Sequence, residues 1–265
     1  MLNRIIEKFK QLRRNKQKAF IAYITAGDPN LATTENLVYA LEEAGVDIIE
    51  LGIPFSDPIA EGPIIQAASE RALKNHTSLK SILALVTRIR RRSQIPIAFM
   101  TYYNPIFHFG DKAFVEAAVN AGGDGVIIPD LPPEEAMDLR RAAQKQNFST
   151  VFFMAPTTTD ERLKKVAKAS TGFLYYVSLT GVTGVRAQLS QSIASDVKRA
   201  KRLTNKPVCV GFGISTADHV RTVGKVADGV IVGSAIVNEI AKNAGKKDLV
   251  KNVARYVSGL VKALR

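Results

Sequence analysis

The sequence predicts an α/β fold, a (β/α)8 or TIM barrel with extra helices at its N-terminal and C-terminal ends. Eight short apolar runs rich in Val, Ile and Phe recur between longer stretches of helical periodicity. Most are continuous rather than alternating, as parallel strands buried on both faces read. Three segments, AGVDIIELG, AGGDGVIIPD and VADGVIVGS, repeat one entry into a strand. The competing arrangement, an open doubly wound sheet, usually shows a glycine-rich turn after its first strand. Here that place holds AGDPN, a turn and helix N-cap signal, and no GxGxxG or P-loop occurs. A chain of 265 residues suffices for one barrel, and no Pro- or Ser-rich linker divides it, so residues 1–265 are expected to form a single domain.

In chain order, the opening MLNRIIEKFKQLRRNKQ sets Leu2, Ile5, Ile6, Phe9 and Leu12 at helical spacing. It reads as an amphipathic helix capping the fold. It contains an acid and lacks the apolar core and small-residue cleavage site of a secretory signal, so a cytoplasmic protein is expected. Strands are expected at 19–25, 47–52, 95–101, 124–130, 150–156, 172–178, 207–213 and 228–234, with helices between them.

Composition removes several function classes. The lone Cys209 forbids an intrachain disulfide, and no apolar run approaches a membrane span. The chain carries 37 Lys and Arg against 24 Asp and Glu, a formal charge of +13. Its dense spots, Arg13 to Lys18, Arg88 to Arg92 and Lys198 to Arg202, fall at helix ends or on helix faces. No aromatic interleaving, zinc spacing or RNA-binding motif accompanies them. A solvated exterior is the expected meaning rather than nucleic-acid binding, with steering of an anionic substrate as the functional alternative.

In a barrel of this kind chemistry sits at the C-terminal strand ends. Those ends and their loops offer Asp28, Glu50, Asp57, Glu61, Thr101, Tyr102, Asn104, Asp130, Tyr175, Ser178, Thr183 and Ser234. Glu50 leads, because a carboxyl group closing a buried strand has a pKa raised by desolvation and suits proton transfer. The alternative is a carboxylate that only accepts from nearby amides. Asp57 reads equally as a turn former, Glu61 as a residue at the start of the helix near Gly62, and Asp130 as the cap of a helix beginning in LPPEE.

The loops Gly211-Phe-Gly-Ile-Ser and Val232-Gly-Ser-Ala, after strands seven and eight, suit a phosphate. Their glycines admit backbone amides to an anion, and Ser234 adds a hydroxyl at a helix start. Thr180-Gly-Val-Thr-Gly, after strand six, could supply further donors and act as a lid. No strand ends in lysine, which disfavours Schiff-base chemistry, and His76, His108 and His219 show no metal-ligand spacing. The residues alone describe metal-free acid/base chemistry by carboxylates on a phosphorylated small molecule.

One string is specific: Glu50-Leu-Gly-Ile-Pro-Phe-Ser-Asp-Pro, continuing to Gly62-Pro63 and Gln66. With Tyr23-Ile-Thr-Ala-Gly-Asp-Pro, Met100-Thr-Tyr-Tyr-Asn-Pro, Pro129-Asp-Leu-Pro and Tyr175-Tyr-Val-Ser-Leu-Thr-Gly-Val-Thr-Gly, it resembles the tryptophan synthase α chain family almost end to end. The resemblance implies retro-aldol cleavage of indole-3-glycerol phosphate to indole and glyceraldehyde 3-phosphate. It makes Glu50 the catalytic glutamate and places Glu61 where the family carries its second catalytic acid, an aspartate. The extra methylene of Glu61 is expected to keep the electrostatic role at reduced turnover.

By resemblance Tyr23, Met100, Tyr102, Ile127, Phe153, Tyr175, Phe212 and Ile231 line an indole pocket, while Gly184, Gly213, Gly233 and Ser234 bind phosphate. Asp57, Asn104, Asp130 and Thr183 take lid or interface positions. The partner implied is a tryptophan synthase β chain, in an α2β2 tetramer, which carries pyridoxal phosphate; this chain is expected to bind none. Two alternatives stand beside the lyase reading: an activator of the β chain with catalysis weakened at Glu61, and a stand-alone indole-releasing lyase.

Overall fold

A computed structural model describes residues 3–177, 186–211 and 213–265, with 186–191 described by backbone alone. The described elements run α1 (Arg4–Arg14), β1 (Ala19–Thr25), α2 (Leu31–Glu43), β2 (Ile48–Gly52), α3 (Pro63–Lys74), α4 (Leu79–Ile89) and β3 (Ile97–Met100). They continue α5 (Tyr103–Phe109), α6 (Asp111–Ala121), β4 (Gly125–Ile127), α7 (Met137–Lys145), β5 (Ser149–Met154), α8 (Asp160–Ala169) and β6 (Leu174–Val177). Last come α9 (Arg186–Leu203), β7 (Val208–Gly211), α10 (Ala217–Gly224), β8 (Gly229–Val232), α11 (Ser234–Asn243) and α12 (Leu249–Leu264). The strands form a closed parallel barrel in sequence order, β8 returning to β1. The expected fold class is therefore observed.

Alternation along each strand divides the apolar residues between two cores. Ile49 and Leu51 join the layer between sheet and helices, whereas Ile48 points inward with Ile21, Ala98, Ile127, Val151, Cys209 and Ile231. The N-terminal helix completes the inner core. Ile5, Phe9 and Leu12 are buried against it, and the Phe9 and Phe173 rings pack 5.7 Å apart. Of the five apolar residues expected on that face, Ile6 stays partly exposed and Leu2 lies outside the described residues. Asn3 starts the helix by accepting from the amides of Ile5 and Ile6, satisfying two of its orphan donors.

The repeated aspartates have a structural function at the face where the strands begin. Asp47 Oδ2 accepts the amide of Phe20 at 2.8 Å while the Phe20 carbonyl accepts the amide of Asp47. The same reciprocal clasp joins Asp124 to Ile97 and Asp228 to Val208, and Thr171 Oγ1 plays the part toward Thr150. Each clasp ties an odd strand to the even strand after it. Cations then close the charges: Arg265 on Asp47, Arg4 and Arg90 on Asp124, Lys201 on Asp228.

This corrects part of the charge reading. Arg90 is no solvated residue: it donates to the carbonyls of Gly122, Ser93 and Ile95 as well as to Asp124, and burial lowers its pKa to about 10. Among the described residues, no helix is long and apolar enough to cross a membrane.

Candidate active site

Glu50 is an inward residue of β2, in register with Tyr23 of β1 and Ala98 of β3. The residue is 1% exposed and Oε2 has no hydrogen-bond partner. Burial, and secondarily the charge of Glu61, pushes its pKa up to about 8. Near neutral pH the group is protonated. An unpartnered acidic proton in an apolar layer is an unusual feature for a merely structural carboxylate.

Glu61 comes from the loop after β2, one residue before Gly62, the N-cap of α3, with Pro63 at the first helical position. Its half-buried carboxylate accepts the hydroxyl of Tyr102, and that hydroxyl in turn accepts the amides of Ile59 (3.1 Å) and Ala60 (2.7 Å). The proton and both lone pairs of the phenol are thereby used. Tyr102 holds the loop and Glu61 as one unit. Burial raises the Glu61 pKa, and the Tyr102 bond opposes the shift.

A cavity of about 470 Å³ opens between these groups at the C-terminal strand ends. Glu50 and Glu61 face it together, with Tyr23, Met100, Phe153, Tyr175 and Ile231 as aromatic and aliphatic walls. Its other end carries Gly213, Gly233 and Ser234, and Gly233 is the N-cap of α11. A helix start presents free amides and a positive dipole end, so this end suits an anion. Two strand glycines make room for the walls. A Cβ on Gly52 would collide with the Tyr23 ring, and one on Gly211 would lie 2.6 Å from the Tyr175 hydroxyl. Gly211 is therefore a strand residue accommodating a tyrosine, not a loop residue.

Other expected positions distribute differently. Ile127 is fully buried in the inner layer and is not among the wall residues of the cavity, and neither is Tyr102, which donates to Glu61. Asp57 and Asn104 are exposed. Asp130 is exposed and accepts the amide of Tyr103 at 2.9 and 3.2 Å, so it caps α5 across the barrel rim. The helix expected to begin in LPPEE starts later, at Met137, because 132–136 form turns. Gly184, Thr183, Ser178 and Phe212 lie outside the described residues. Ile64, Ile65, Pro129 and Ile214 also line the cavity and were not anticipated. The signal for the first two was apolar residues in the opening turn of α3, where polar ones are usual.

Among the described residues, no group of three or more His, Cys, Asp or Glu could hold a metal ion. A closed parallel barrel whose strand ends hold two coupled carboxyl groups over an apolar cleft with an anion-ready rim defines an acid/base enzyme of phosphorylated, ring-bearing substrates. Comparison with known proteins sharpens that class. The sequence model of the tryptophan synthase alpha chain family matches residues 9–265. The chain is 49% identical over 259 residues to the tryptophan synthase alpha chain of Geotalea daltonii, covering 98% of each, and 47% identical to that of Geobacter sulfurreducens, covering 99% of each.

Solved structures agree. Tryptophan synthase subunit alpha from Legionella pneumophila superposes with a TM-score of 0.92 at 39% identity, covering 100% of this chain and 99% of that one. A chain of the tryptophan synthase a2b2 complex of Pyrococcus furiosus gives 0.86 at 41% identity, covering 93% and 99%. The chain belongs to the tryptophan synthase alpha chain family, the lyase subunit that cleaves indole-3-glycerol phosphate in tryptophan biosynthesis.

Proposed function

We propose that Glu50 is the proton shuttle of this cleavage and that Glu61 stabilises the charge that develops opposite it. The observation that carries this reading is the buried Glu50 carboxyl group, protonated near neutral pH and unpartnered at the cavity floor. Glu50 delivers its proton to C3 of the indole ring. The ring nitrogen becomes positive, and the Glu61 carboxylate faces that charge. The side-chain hydroxyl next to the ring then gives its proton back to Glu50 as the carbon–carbon bond breaks, leaving indole and the aldehyde of glyceraldehyde 3-phosphate. One proton enters and one returns, so the carboxyl group is regenerated.

Tyr23, Met100, Phe153, Tyr175 and Ile231 hold the ring, and Gly213, Gly233 and Ser234 hold the phosphate. Measurement of indole release with Glu50→Gln, alone and with a β chain, tests the assignment. A drop of about 100-fold or more is expected, and an unchanged rate overturns it.

A β-chain partner is supported by exposed apolar residues at the rim around the cavity: Ile59, Phe107 and Met137 are 80%, 66% and 55% exposed, on the loop after β2, on α5 and at the start of α7. Such side chains mark a contact surface when they share a face. The α2β2 stoichiometry and a pyridoxal phosphate site confined to the β chain belong to the same reading. So does the assignment of residues 1–265 to one domain, favoured by a closed sheet drawing strands from the whole chain. One observation favours the activator alternative for the isolated chain: the Glu61 carboxylate is engaged by Tyr102.

A further inference from the structure

At the opposite end of the barrel, where the strands begin, a second cavity of about 470 Å³ lies between α1, the turn into β1 and the loops entering β6 and β7. Its back wall is apolar, formed by Ile6, Phe9 and Leu12 of α1 with Pro207 before β7. Its rim is cationic: Lys10, Arg13, Lys16 and Lys18 from α1 and the turn after it, and Lys206 from the loop entering β7, converge on it. Asp228 is the sole carboxylate among the described lining residues, and it takes Lys201 at 2.8 Å and Lys18 at 3.9 Å. Lys10 is paired with Glu7, and Lys206 donates to the carbonyls of Ala167 and Ser170.

Arg13 and Lys16 are different. Both are exposed, and neither side chain has a hydrogen-bond or ion-pair partner among the described residues. Complementarity with the negative end of α1 favours a cation at Arg13, while Lys18 and Lys206 are held by Asp228 and by backbone carbonyls. Lys16 moreover occupies a left-handed turn position, φ +54°, that a lysine seldom adopts.

We propose that this cavity binds an organic phosphate bearing a planar ring, of the class of a nucleoside diphosphate. The ring lies against the wall formed by Ile6 and Phe9, and the phosphates lie between Arg13 and Lys16. A guanidinium fork and an ammonium on a mobile stem are the usual phosphate receptors, and an apolar wall beside them selects for a ring. The volume falls in the range of ligand sites. The site is at the other face of the barrel from the cleavage chemistry and uses none of its residues.

Calorimetric titration of the full chain with ADP tests this. The expected result is one saturable site per chain, insensitive to saturating glycerol 3-phosphate, which fills the phosphate end of the catalytic cavity. In an Arg13→Ala/Lys16→Ala variant with unchanged Tm the affinity should fall at least tenfold. Absence of saturable binding overturns the proposal, as does competition by glycerol 3-phosphate or undiminished binding by the variant. Pyrophosphate binding as tightly as ADP also overturns it, since the apolar wall then contributes nothing.

Discussion

Glu50 lowers the stability of the fold it serves. Its carboxyl pKa is raised to about 8 in the folded chain from 4.5 when exposed, so between those values the native state holds a proton that the unfolded state has lost. The native state binds more protons over that window, and stability therefore falls as pH rises through it. Glu50→Gln removes the titration. Its Tm is expected to match the parent near pH 4.5 and to exceed it at pH 9, by a stability difference on the order of a few kcal/mol. The parent's kcat/KM, which needs the protonated acid, should fall tenfold per pH unit above about pH 8 while Tyr102→Phe leaves that limb in place.

Glu61→Asp tests the second carboxylate. Restoring the shorter side chain should raise turnover, by up to about 100-fold if a displacement near 1 Å is corrected; a slower enzyme contradicts the role given to Glu61. Glu50 was legible as an acid inside an apolar run, although it stands mid-strand in β2 rather than at the strand end the run suggested. The Tyr102 bond to Glu61 was not, because it joins residues 41 apart through loops whose approach only the closed barrel sets.

Among elements, the strands were legible as apolar runs but not as ladders. The run 124–130 suggested seven strand residues where β4 has three, because apolar packing continues past the point at which backbone pairing stops. Pro129 lacks the amide a longer ladder would need. Conversely, the Asp-apolar repeat was visible as a pattern whose mechanism lay across strands. Asp124 is the most deeply held clasp, 3% exposed and bound by two arginines. Asp124→Ala leaves Arg90 buried without its counter-ion and frees the Ile97 amide, so a loss of about 3–5 kcal/mol is expected in urea unfolding. Asp228→Ala, at a carboxylate 32% exposed, should cost clearly less.

For the molecule as a whole, the charge of +13 signified three things rather than one: ion pairs that close the clasps, an exposed exterior, and the cationic rim beneath α1, where Arg13 and Lys16 have no partner among the described residues. Composition cannot separate these, since burial and pairing depend on tertiary approach. The opposite rim carries exposed apolar side chains instead, Ile59, Phe107 and Met137. Phe107→Asp, at an exposed residue of α5 outside the cavity lining, is expected to weaken activation of a β chain at least tenfold in a titration of β activity. The indole-releasing rate of the isolated variant should stay at the parent value.

The clasps join β1 to β2, β3 to β4, β5 to β6 and β7 to β8 and, among the described residues, none of the pairs between. The cylinder is thus assembled from four parallel βαβ quarters, each carrying its own alignment mark, since a one-residue slip would turn the clasping side chain to the other face. A chain cut at a quarter boundary and rejoined end to end keeps every mark inside a contiguous segment. Circular permutants opened before β3, β5 or β7 should accordingly fold where those opened inside a quarter do not, and a gene grown by duplicating quarters would have inherited its register with each copy.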